Sequence, residues 1–267
     1  SDIYRAGDGV HASWLKRKRE KLPFVKKLLS YLNLKDYVLL YLEKQTFFHS
    51  KKIITNSNFI KNEIIDFYKI SPQKIEVIYN GIDQKEIEID SIKEKERLNI
   101  KNEIVILYVG NGFFRKGVKE ALSLLSHHKE KDFVFLVVGG DRDMGYYKKY
   151  AKHLGLEDKV RFLGEQKEVE RFYILSDIFL FPTLYDPFSN ATLEAMWYKN
   201  VILTTRTNGV SELLDETQLL DTQDKLSYFL KNRELLDEIK EKNHNIAKNL
   251  SIEKNVQKTL NILEALS

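Results

Sequence analysis

Short runs of apolar residues alternate with longer stretches of mixed polarity through the second half of the chain. The runs are apolar throughout, so they predict strands buried on both faces, as in a parallel sheet. Strands that alternate with helices predict a doubly wound α/β domain with right-handed crossovers. The predicted strands are 104–109, 133–138, 160–163, 178–181 and 201–204. The predicted helices end near 128, cover 146–154, 168–175 and 191–198, and begin again at 210.

The first hundred residues show a less regular pattern. Short strands are predicted at 2–6, 53–55 and 75–79, and a helix at 58–68. Ser57 or Asn58 can cap that helix. The final segment predicts another helix with one apolar face, which Ser251 can cap.

A charged, poorly periodic segment over 93–101 predicts a linker near residues 84–100. We therefore expect a domain boundary there, with the C-terminal helix packing back toward the first domain. The predicted divisions are 1–98 for an incomplete first domain, 99–250 for a complete second domain and 251–267 for the C-terminal helix.

Composition narrows the class of protein. The 267 residues are 43% hydrophobic, which argues against disorder. The absence of cysteine excludes disulfides, zinc–thiolate sites and thiol nucleophiles, and it fits a reducing compartment. No apolar run approaches the length of a membrane span. A formal net charge of +4 is too mild for a dedicated nucleic-acid binder.

Positive charge is concentrated near the start of the chain. Residues 1–52 hold 12 Lys and Arg but only 5 Asp and Glu. Within 14–32 the basic side chains interleave with aromatic and aliphatic ones. Such a segment can lie on an anionic membrane surface. It can equally be a solvated helix face, and Pro23 would break a single long helix.

Two loops after predicted strands carry candidate chemistry. In 110–117, glycines such as Gly112 allow close backbone approach, and Arg115 and Lys116 precede a predicted helix. This combination suits a diphosphate, although a plain strand–helix turn with exposed basic residues is equally compatible with it.

The second loop, 183–190, leads into a predicted helix that Ser189 or Asn190 can cap. Free N–H groups at that helix end form an anion site. Glu194, one turn into the helix, can accept hydrogen bonds from ribose hydroxyls, and Asp186 can reach a sugar. The alternatives are a helix-dipole partner for Glu194 and a turn residue for Asp186.

Taken together, these segments resemble glycosyltransferase family 4. The resemblance is carried by 75–83, 110–117, the Asp186-x7-Glu194 spacing and 209–212, in that order. It implies a retaining, nucleotide-sugar-dependent enzyme of the GT-B fold, with a doubly wound Rossmann-like donor domain and a partial N-terminal acceptor domain. Arg115 directly before Lys116 is most similar to the lipopolysaccharide core glucosyltransferase type.

The resemblance also implies roles for individual residues. The residues implied in catalysis are Asp8, Asp186, Arg115 and Lys116, with His11 a second candidate beside Asp8. The residues implied in binding the nucleotide sugar are Gly112, Arg115, Lys116, Phe162, Phe188, Ser189, Asn190 and Glu194. Lys116 and Arg115 would hold the diphosphate, Glu194 the ribose, Phe162 the base and Asp186 the transferred sugar. The N–H groups of 188–190 would face the phosphates or the sugar.

The implied reaction moves a hexose from a UDP-sugar, with UDP-glucose favoured, to a hydroxyl of a saccharide or glycolipid. No metal or other cofactor is expected. The resemblance favours membrane contact by 14–32 and a cytoplasmic protein peripheral on the inner face of the cytoplasmic membrane. A nucleotide-sugar-binding module without turnover is the alternative, because the segment 2–8 matches a point midway through the family's N-terminal domain. Asp186 also stands where the family usually has Glu, so its shorter reach bears on sugar preference.

Overall fold

The computed structural model describes residues 2–220 and 225–266 and contains two β-sheets. The first has three strands in the order β1-β2-β3, and the second has five in the order β6-β5-β4-β7-β8. Neighbouring strands are parallel in both sheets. The strands are β1 (Ile3–Ala6), β2 (Lys52–Thr55), β3 (Ile75–Val77), β4 (Ile104–Val109), β5 (Phe133–Val138), β6 (Val160–Gly164), β7 (Ile178–Phe181) and β8 (Val201–Thr204).

Helices connect the strands, and the elements around each sheet form one unit. The first unit comprises β1–β3 with α1 (His11–Lys21), α2 (Phe24–Ser30), α3 (Leu34–His49) and α4 (Asn58–Tyr68). The second unit comprises β4–β8 with α6 (Phe113–Lys116), α7 (Val118–Ser126), α8 (Met144–His153), α9 (Glu170–Leu175), α10 (Asn190–Trp197), α11 (Lys225–Lys231) and α12 (Leu236–Ala247). Helix α5 (Ser91–Arg97) lies between the units, and α13 (Ile252–Glu264) follows the second.

The predicted doubly wound sheet of the second unit is confirmed. All five predicted strands are present, and every residue of β5 is buried, as expected of a strand covered on both faces. Because all five strands are parallel, their carboxyl ends share one edge of the sheet. That edge carries both candidate loops, in accordance with the general placement of ligands in open α/β sheets.

The helix predicted after the 110–117 loop is α7, but the loop itself contains the short helix α6, which was not predicted. Helix α6 ends at Gly117, which has φ +83°, and a Cβ there would meet the Pro182 carbonyl oxygen at 1.9 Å. The segment predicted to start a helix at 210 is a 3₁₀ turn, Gly209–Leu213, which Asn208 caps through the Val210 N–H.

The predicted linker is also partly wrong, because residues 84–100 contain α5. Asp90 caps this helix by accepting a hydrogen bond from the Lys93 N–H at 3.1 Å. Lys93 pairs with Asp90 and Arg97 with Glu94, each three residues away. None of the residues of α5 is buried, so the helix has no apolar stripe from which its presence could be predicted.

The basic segment 14–32 does not form one amphipathic face. It folds as α1 and α2, separated at Leu22 and Pro23. Leu15 is buried, and Trp14 packs against Phe114, so these two side chains face the protein and are unavailable to a membrane. Of the two helices in this segment, α2 is the one that presents its apolar residues to solvent. Within the described ranges, no helix has the length and apolarity to span a bilayer.

The C-terminal helix α13 contacts the first unit. The guanidinium of Arg5 on β1 donates to Asn255 Oδ1 at 3.3 Å and Thr259 Oγ1 at 3.4 Å. Asn255 Nδ2 donates to the Tyr79 carbonyl oxygen just after β3. These contacts fasten the end of the chain across the junction between the two units.

Candidate functional site

The glycine loop after β4 makes a tight turn at the edge of the second sheet. Gly112 has φ +76°, a left-handed conformation that favours glycine, and it starts the short helix α6. The Phe113 N–H donates to Asp141 Oδ2 at 2.7 Å. A Cβ on neighbouring Gly139 would lie 2.2 Å from the Gly110 carbonyl oxygen, so the two loops touch through backbone. The turn thereby places the side chains of α6 at the sheet edge.

Lys116 and Asp186 come together as an ion pair between the two candidate loops. Their side chains are only 16% and 6% exposed. The ammonium of Lys116 also lies 5.3 Å from the centroid of the Phe181 ring. Each partner compensates the charge that burial would otherwise leave unsolvated.

Arg115 stands beside this pair with an uncompensated charge. Within residues 2–220 and 225–266, its half-buried guanidinium has no carboxylate partner. Its backbone carbonyl accepts from the Leu184 N–H at 2.9 Å and from Thr183 Oγ1 at 3.0 Å. The two loops are thus held together by backbone, and they leave a cation ready for an anionic ligand.

Asp186 is fixed by a short parallel bridge to the loop after β8. Its N–H donates to the Thr207 carbonyl, and its carbonyl accepts from the Gly209 N–H, both at 2.9 Å. Gly209 fits because a Cβ there would lie 1.9 Å from the Pro187 carbonyl oxygen. The sequence indicated these loops separately, whereas the structure joins them around one carboxylate.

The N-terminus of α10 differs in part from the prediction for 188–190. Ser189 caps the helix, as predicted, by accepting from the Thr192 N–H at 3.2 Å. Its own N–H, however, donates to Asn208 Oδ1 at 3.3 Å and is not free for a phosphate. Phe188 is buried and stacks on Tyr79 with ring centroids 5.5 Å apart. Asn190 is exposed and its Oδ1 accepts from the side chain of Asn80, a residue of the first unit's edge.

Glu194 lines a separate cavity of about 310 Å³ beside the same helix. Its Oε2 accepts from the Tyr173 hydroxyl at 2.9 Å. Burial raises the pKa of Glu194, the hydrogen bond from Tyr173 opposes that rise, and nearby Glu170 adds to it. Lys85 and Lys167 supply the positive charge in the lining. Tyr173, which the sequence analysis did not single out, orients this carboxylate.

Phe162 lies apart from the Glu194 cavity. Its ring is tilted against that of Phe113 at a centroid distance of 6.5 Å, and it packs on the core of the second unit. The strand β6 that carries it ends at the same sheet edge as the glycine loop. The Phe162 side chain therefore packs against the glycine loop through the ring of Phe113.

Asp8 and His11 fall on opposite sides of the loop between β1 and α1. Asp8 is exposed, and the adjacent Gly9 touches the loop that carries Asp186: a Cβ there would lie 2.5 Å from the Tyr185 hydroxyl. His11 instead approaches Asp36 on α3, with Nε2 3.8 Å from Oδ1. Of the two candidates, Asp8 is the one next to the loop of Asp186.

Tyr185 is a central residue that the sequence analysis missed. It precedes Asp186 on the second unit, but its ring belongs to the hydrophobic core of the first unit. The hydroxyl accepts from the Val10 N–H at 2.7 Å and donates to Glu63 Oε2 at 2.8 Å. Glu63 is paired in turn with Arg17 at 2.9 Å. A single tyrosine in a loop carries no sequence pattern that would reveal such an anchor.

Glu212 forms another contact between the units. Its carboxylate accepts from the N–H groups of Asn58 at 3.0 Å and Phe59 at 3.1 Å, so it caps α4 of the first unit. Burial and the hydrogen bond with Glu212 raise the pKa of Tyr79 to about 12. The segment 209–212 therefore joins the units as well as holding Asp186.

Residues 2–220 and 225–266 contain no group of three or more His, Asp or Glu side chains arranged to hold a metal ion. At the sheet edge, Lys116 is paired with Asp186, and Arg115 has no acidic partner among the described residues.

Comparison with known proteins gives a consistent family. The protein-family model described as glycosyl transferases group 1 matches residues 90–251, and the family model described as glycosyltransferase family 4 matches residues 8–86. An uncharacterized glycosyltransferase of Methanocaldococcus jannaschii is 28% identical over 177 residues, which are 62% of this chain and 45% of that protein. A diphospho-undecaprenol 4-alpha-N-acetylgalactosaminyltransferase of Campylobacter jejuni is 27% identical over 201 residues, 70% of this chain and 51% of that protein. The chain spans about half the length of these relatives.

Solved structures agree in fold. The chain is similar to WaaG, a glycosyltransferase involved in lipopolysaccharide biosynthesis, with a TM-score of 0.81 and 21% identity over 98% of this chain and 74% of that one. It is similar to HepE of Anabaena in complex with UDP, with a TM-score of 0.77 and 20% identity over 98% and 72% of the two chains. The two units thus have the GT-B arrangement. Since the group 1 model alone covers more than half of the residues, the chain belongs to the glycosyl transferases group 1 family.

Proposed function

We propose that this chain provides the nucleotide-sugar site of a retaining hexosyltransferase that uses a UDP-sugar, with UDP-glucose favoured. The observation that carries the proposal is the meeting of Arg115, Lys116 and Asp186 at the carboxyl edge of the second sheet. HepE, whose complexes contain UDP and UDP-glucose, has the same fold and supports uridine as the base.

In this proposal the diphosphate replaces Asp186 as the partner of Lys116. Both carboxylate and phosphate oxygens satisfy the largely buried ammonium of Lys116, so its charge stays compensated through the exchange. Arg115 adds a second cation without having to break an ion pair. Release of Asp186 frees its carboxylate for hydroxyls of the transferred sugar. The ion pair is then the resting state of the empty site.

Glu194 is proposed to accept hydrogen bonds from the ribose. Its carboxylate already borders a cavity and keeps one oxygen without a protein partner among the described residues. Tyr173 holds the other oxygen, which fixes the direction of the free one. A ribose placed there would connect the base side of the cavity with the diphosphate at Lys116.

The chemical step breaks the bond between the anomeric carbon and the diphosphate oxygen and forms a bond between that carbon and an acceptor hydroxyl oxygen, whose proton passes to the departing diphosphate. Negative charge develops on the departing diphosphate. Arg115 and Lys116 are positioned cations for that charge, and removing one such group typically costs about 2.7–4 kcal/mol of transition-state stabilisation. We propose that they take the place of a metal ion, so a chelator should leave activity unchanged.

We propose a saccharide or glycolipid as the acceptor and Asp8 as the residue nearest to it from the first unit. WaaG, which acts in lipopolysaccharide biosynthesis, supports acceptors of this kind. The alternative is a module that binds the nucleotide sugar without turnover. The observation beside it is that this chain spans about half the length of the curated relatives it matches. Detection of glucosylated product would exclude that alternative.

Membrane contact is proposed for α2 alone and not for the whole of 14–32. Phe24 is 80% exposed, and Leu28 and Leu29 are each 60% exposed, with Lys26 and Lys27 between them. Such a helix can bury its apolar face in the headgroup region of an anionic bilayer. This contact would place the protein at the inner face of the cytoplasmic membrane.

Co-sedimentation with phosphatidylglycerol vesicles tests the membrane proposal. Changing Leu28→Asp together with Leu29→Asp should abolish binding, whereas Leu260→Asp together with Leu263→Asp on the exposed face of α13 should not. Equal vesicle binding by both double variants would exclude α2 as the contact.

Titration calorimetry with UDP tests the nucleotide site. Lys116→Ala and Glu194→Ala should each weaken UDP binding at least about tenfold, because each loses charge-assisted hydrogen bonds. Lys152→Ala, an exposed lysine on α8, is the matched control and should bind as the parent protein does. Unchanged affinity in the first two variants would refute the site assignment.

A further inference from the structure

A basic groove of about 910 Å³ lies between the two units. Its walls are the α1–α2 turn of the first unit and helices α7 and α8 of the second. The volume is near the upper end of the roughly 300–1,000 Å³ usual for small-molecule sites. The nucleotide site uses none of these residues, and the α2 surface shares only Lys26 with the groove.

The groove is strongly positive. Lys18, Lys21, Lys26 and Lys119 line it, and Glu120 is the one carboxylate in the lining. Glu120 lies 3.9 Å from Lys21 and neutralises only that lysine. Within residues 2–220 and 225–266 the other three ammonium groups have no acidic partner. Three uncompensated cations around one cavity create a local positive potential that attracts an anion.

Aromatic rings and hydroxyls complete the lining. Phe114 and Tyr146 are 41% and 50% exposed, and Tyr146 is held in place by stacking on Tyr150 with centroids 6.0 Å apart. Ser123 and His127 add hydrogen-bonding groups from α7. Flat apolar faces beside hydrogen-bonding groups suit a sugar ring, which has C–H faces and a polar rim.

The groove adjoins the two loops that carry Lys116 and Asp186. Phe114 directly precedes Arg115 and Lys116, and its ring contacts Trp14 of α1. A second cavity of about 420 Å³ shares Lys21, Glu120 and Leu124 with the groove and reaches Leu184, two residues before Asp186. A ligand in the groove would therefore lie next to the loops that carry Lys116 and Asp186.

From this juxtaposition we infer that the basic groove binds the acceptor, and that the acceptor is an anionic saccharide bearing phosphate, sulfate or carboxylate groups. The inference deepens the proposed function and rests on it, because the groove is called an acceptor site only on account of the neighbouring nucleotide site. The lysines recognise the anionic groups, and the rings recognise the sugar faces.

The test uses a heparin pentasaccharide as the anionic probe, with saturating UDP present to occupy the diphosphate loop. The triple variant Lys18→Glu, Lys26→Glu and Lys119→Glu should lose at least about tenfold in pentasaccharide affinity, since each change removes a charge-assisted contact and adds repulsion. Its affinity for UDP should stay within about twofold of the parent value.

The matched control is the triple variant Lys16→Glu, Lys44→Glu and Lys254→Glu. These lysines are exposed and lie outside the groove, and the change in net charge is the same. The control should keep the parent affinity for the pentasaccharide, and thermal melting should show both triple variants folded. Equal loss in both variants would overturn the inference, because it would reveal a response to net charge alone.

Two further results distinguish a failure of this inference from a failure of the proposed function. Lysine-dependent binding of phosphatidylglycerol vesicles without any pentasaccharide binding would overturn the saccharide assignment in favour of a lipid headgroup. Failure of the parent protein to bind UDP would refute the proposed function and with it the acceptor role of the groove. Lysine-dependent pentasaccharide binding alongside normal UDP binding supports both.

Discussion

At the scale of single residues, the candidate site depends on which charges are already compensated. Lys116 and Asp186 are paired and largely buried, Arg115 is not paired with any acid among the described residues, and Glu194 is held by Tyr173. Residue types and spacing were sufficient to single out these four side chains. Their pairing could not be predicted, because it depends on the bridge between Asp186 and the loop of Thr207.

Asp186→Asn should destabilise the empty protein by about 1–3 kcal/mol, because it leaves the half-buried Lys116 without a counter-charge. Urea unfolding measures this change. Saturating UDP should raise the melting temperature of the variant by more than it raises that of the parent, since the diphosphate now supplies the missing partner. An equal UDP-induced shift in both proteins would contradict the exchange of partners.

The affinity for UDP-glucose should depend on pH through Glu194. Burial raises the pKa of Glu194 above its ordinary value of 4.5, so more of it is protonated at pH 5 than an exposed glutamate would be. A protonated carboxyl accepts ribose hydrogen bonds poorly, and affinity should therefore rise from pH 5 to pH 7. Calorimetry on Glu194→Gln should show a flatter profile, and an identical profile would exclude this carboxylate as the titrating group.

At the scale of elements, strands were easier to predict than the short helices and turns. Apolar runs such as 133–138 locate a buried strand, because only a doubly covered strand is apolar on both faces. Helix α5 lacks an apolar stripe, and α6 is only four residues long. Neither helix leaves a local periodic pattern, so both were missed.

Gly117→Ala should destabilise the protein by at least about 1–3 kcal/mol and displace the loop that carries Lys116. The position combines a left-handed φ with a backbone oxygen at 1.9 Å from the new Cβ. Gly145→Ala on α8 is the matched control, because its new Cβ would meet no atom within 4 Å and alanine favours a helix. In urea unfolding, the free energy of unfolding of the control should equal or exceed that of the parent protein, and that of Gly117→Ala should be lower than both.

At the scale of the whole molecule, the two units meet through the same loops that build the site. Tyr185 inserts into the core of the first unit, Asp186 beside it faces Lys116, and Glu212 caps α4. The relative position of the units and the geometry of the site are therefore coupled. The hydrogen bonds of Tyr185 and Glu212 join residues more than 100 positions apart, and Lys116 lies 70 positions from Asp186, so no local sequence pattern reveals these contacts.

Tyr185→Phe should cost about 1–3 kcal/mol of stability, because it leaves the buried Val10 N–H without an acceptor and Glu63 Oε2 without a donor. UDP affinity should change little, whereas sugar transfer should slow if the relative position of the two units changes. Tyr228→Phe removes an exposed hydroxyl and serves as the control. Parent-like stability in Tyr185→Phe would show that the ring alone anchors the units.

The central claim is that Arg115, Lys116 and Glu194 together grip one UDP molecule, and a crystal structure with UDP bound tests it most directly. The account predicts Lys116 Nζ on a phosphate oxygen, Asp186 released from its pair, and the ribose hydroxyls on Glu194. UDP bound elsewhere, with the Lys116–Asp186 pair intact, would contradict the account.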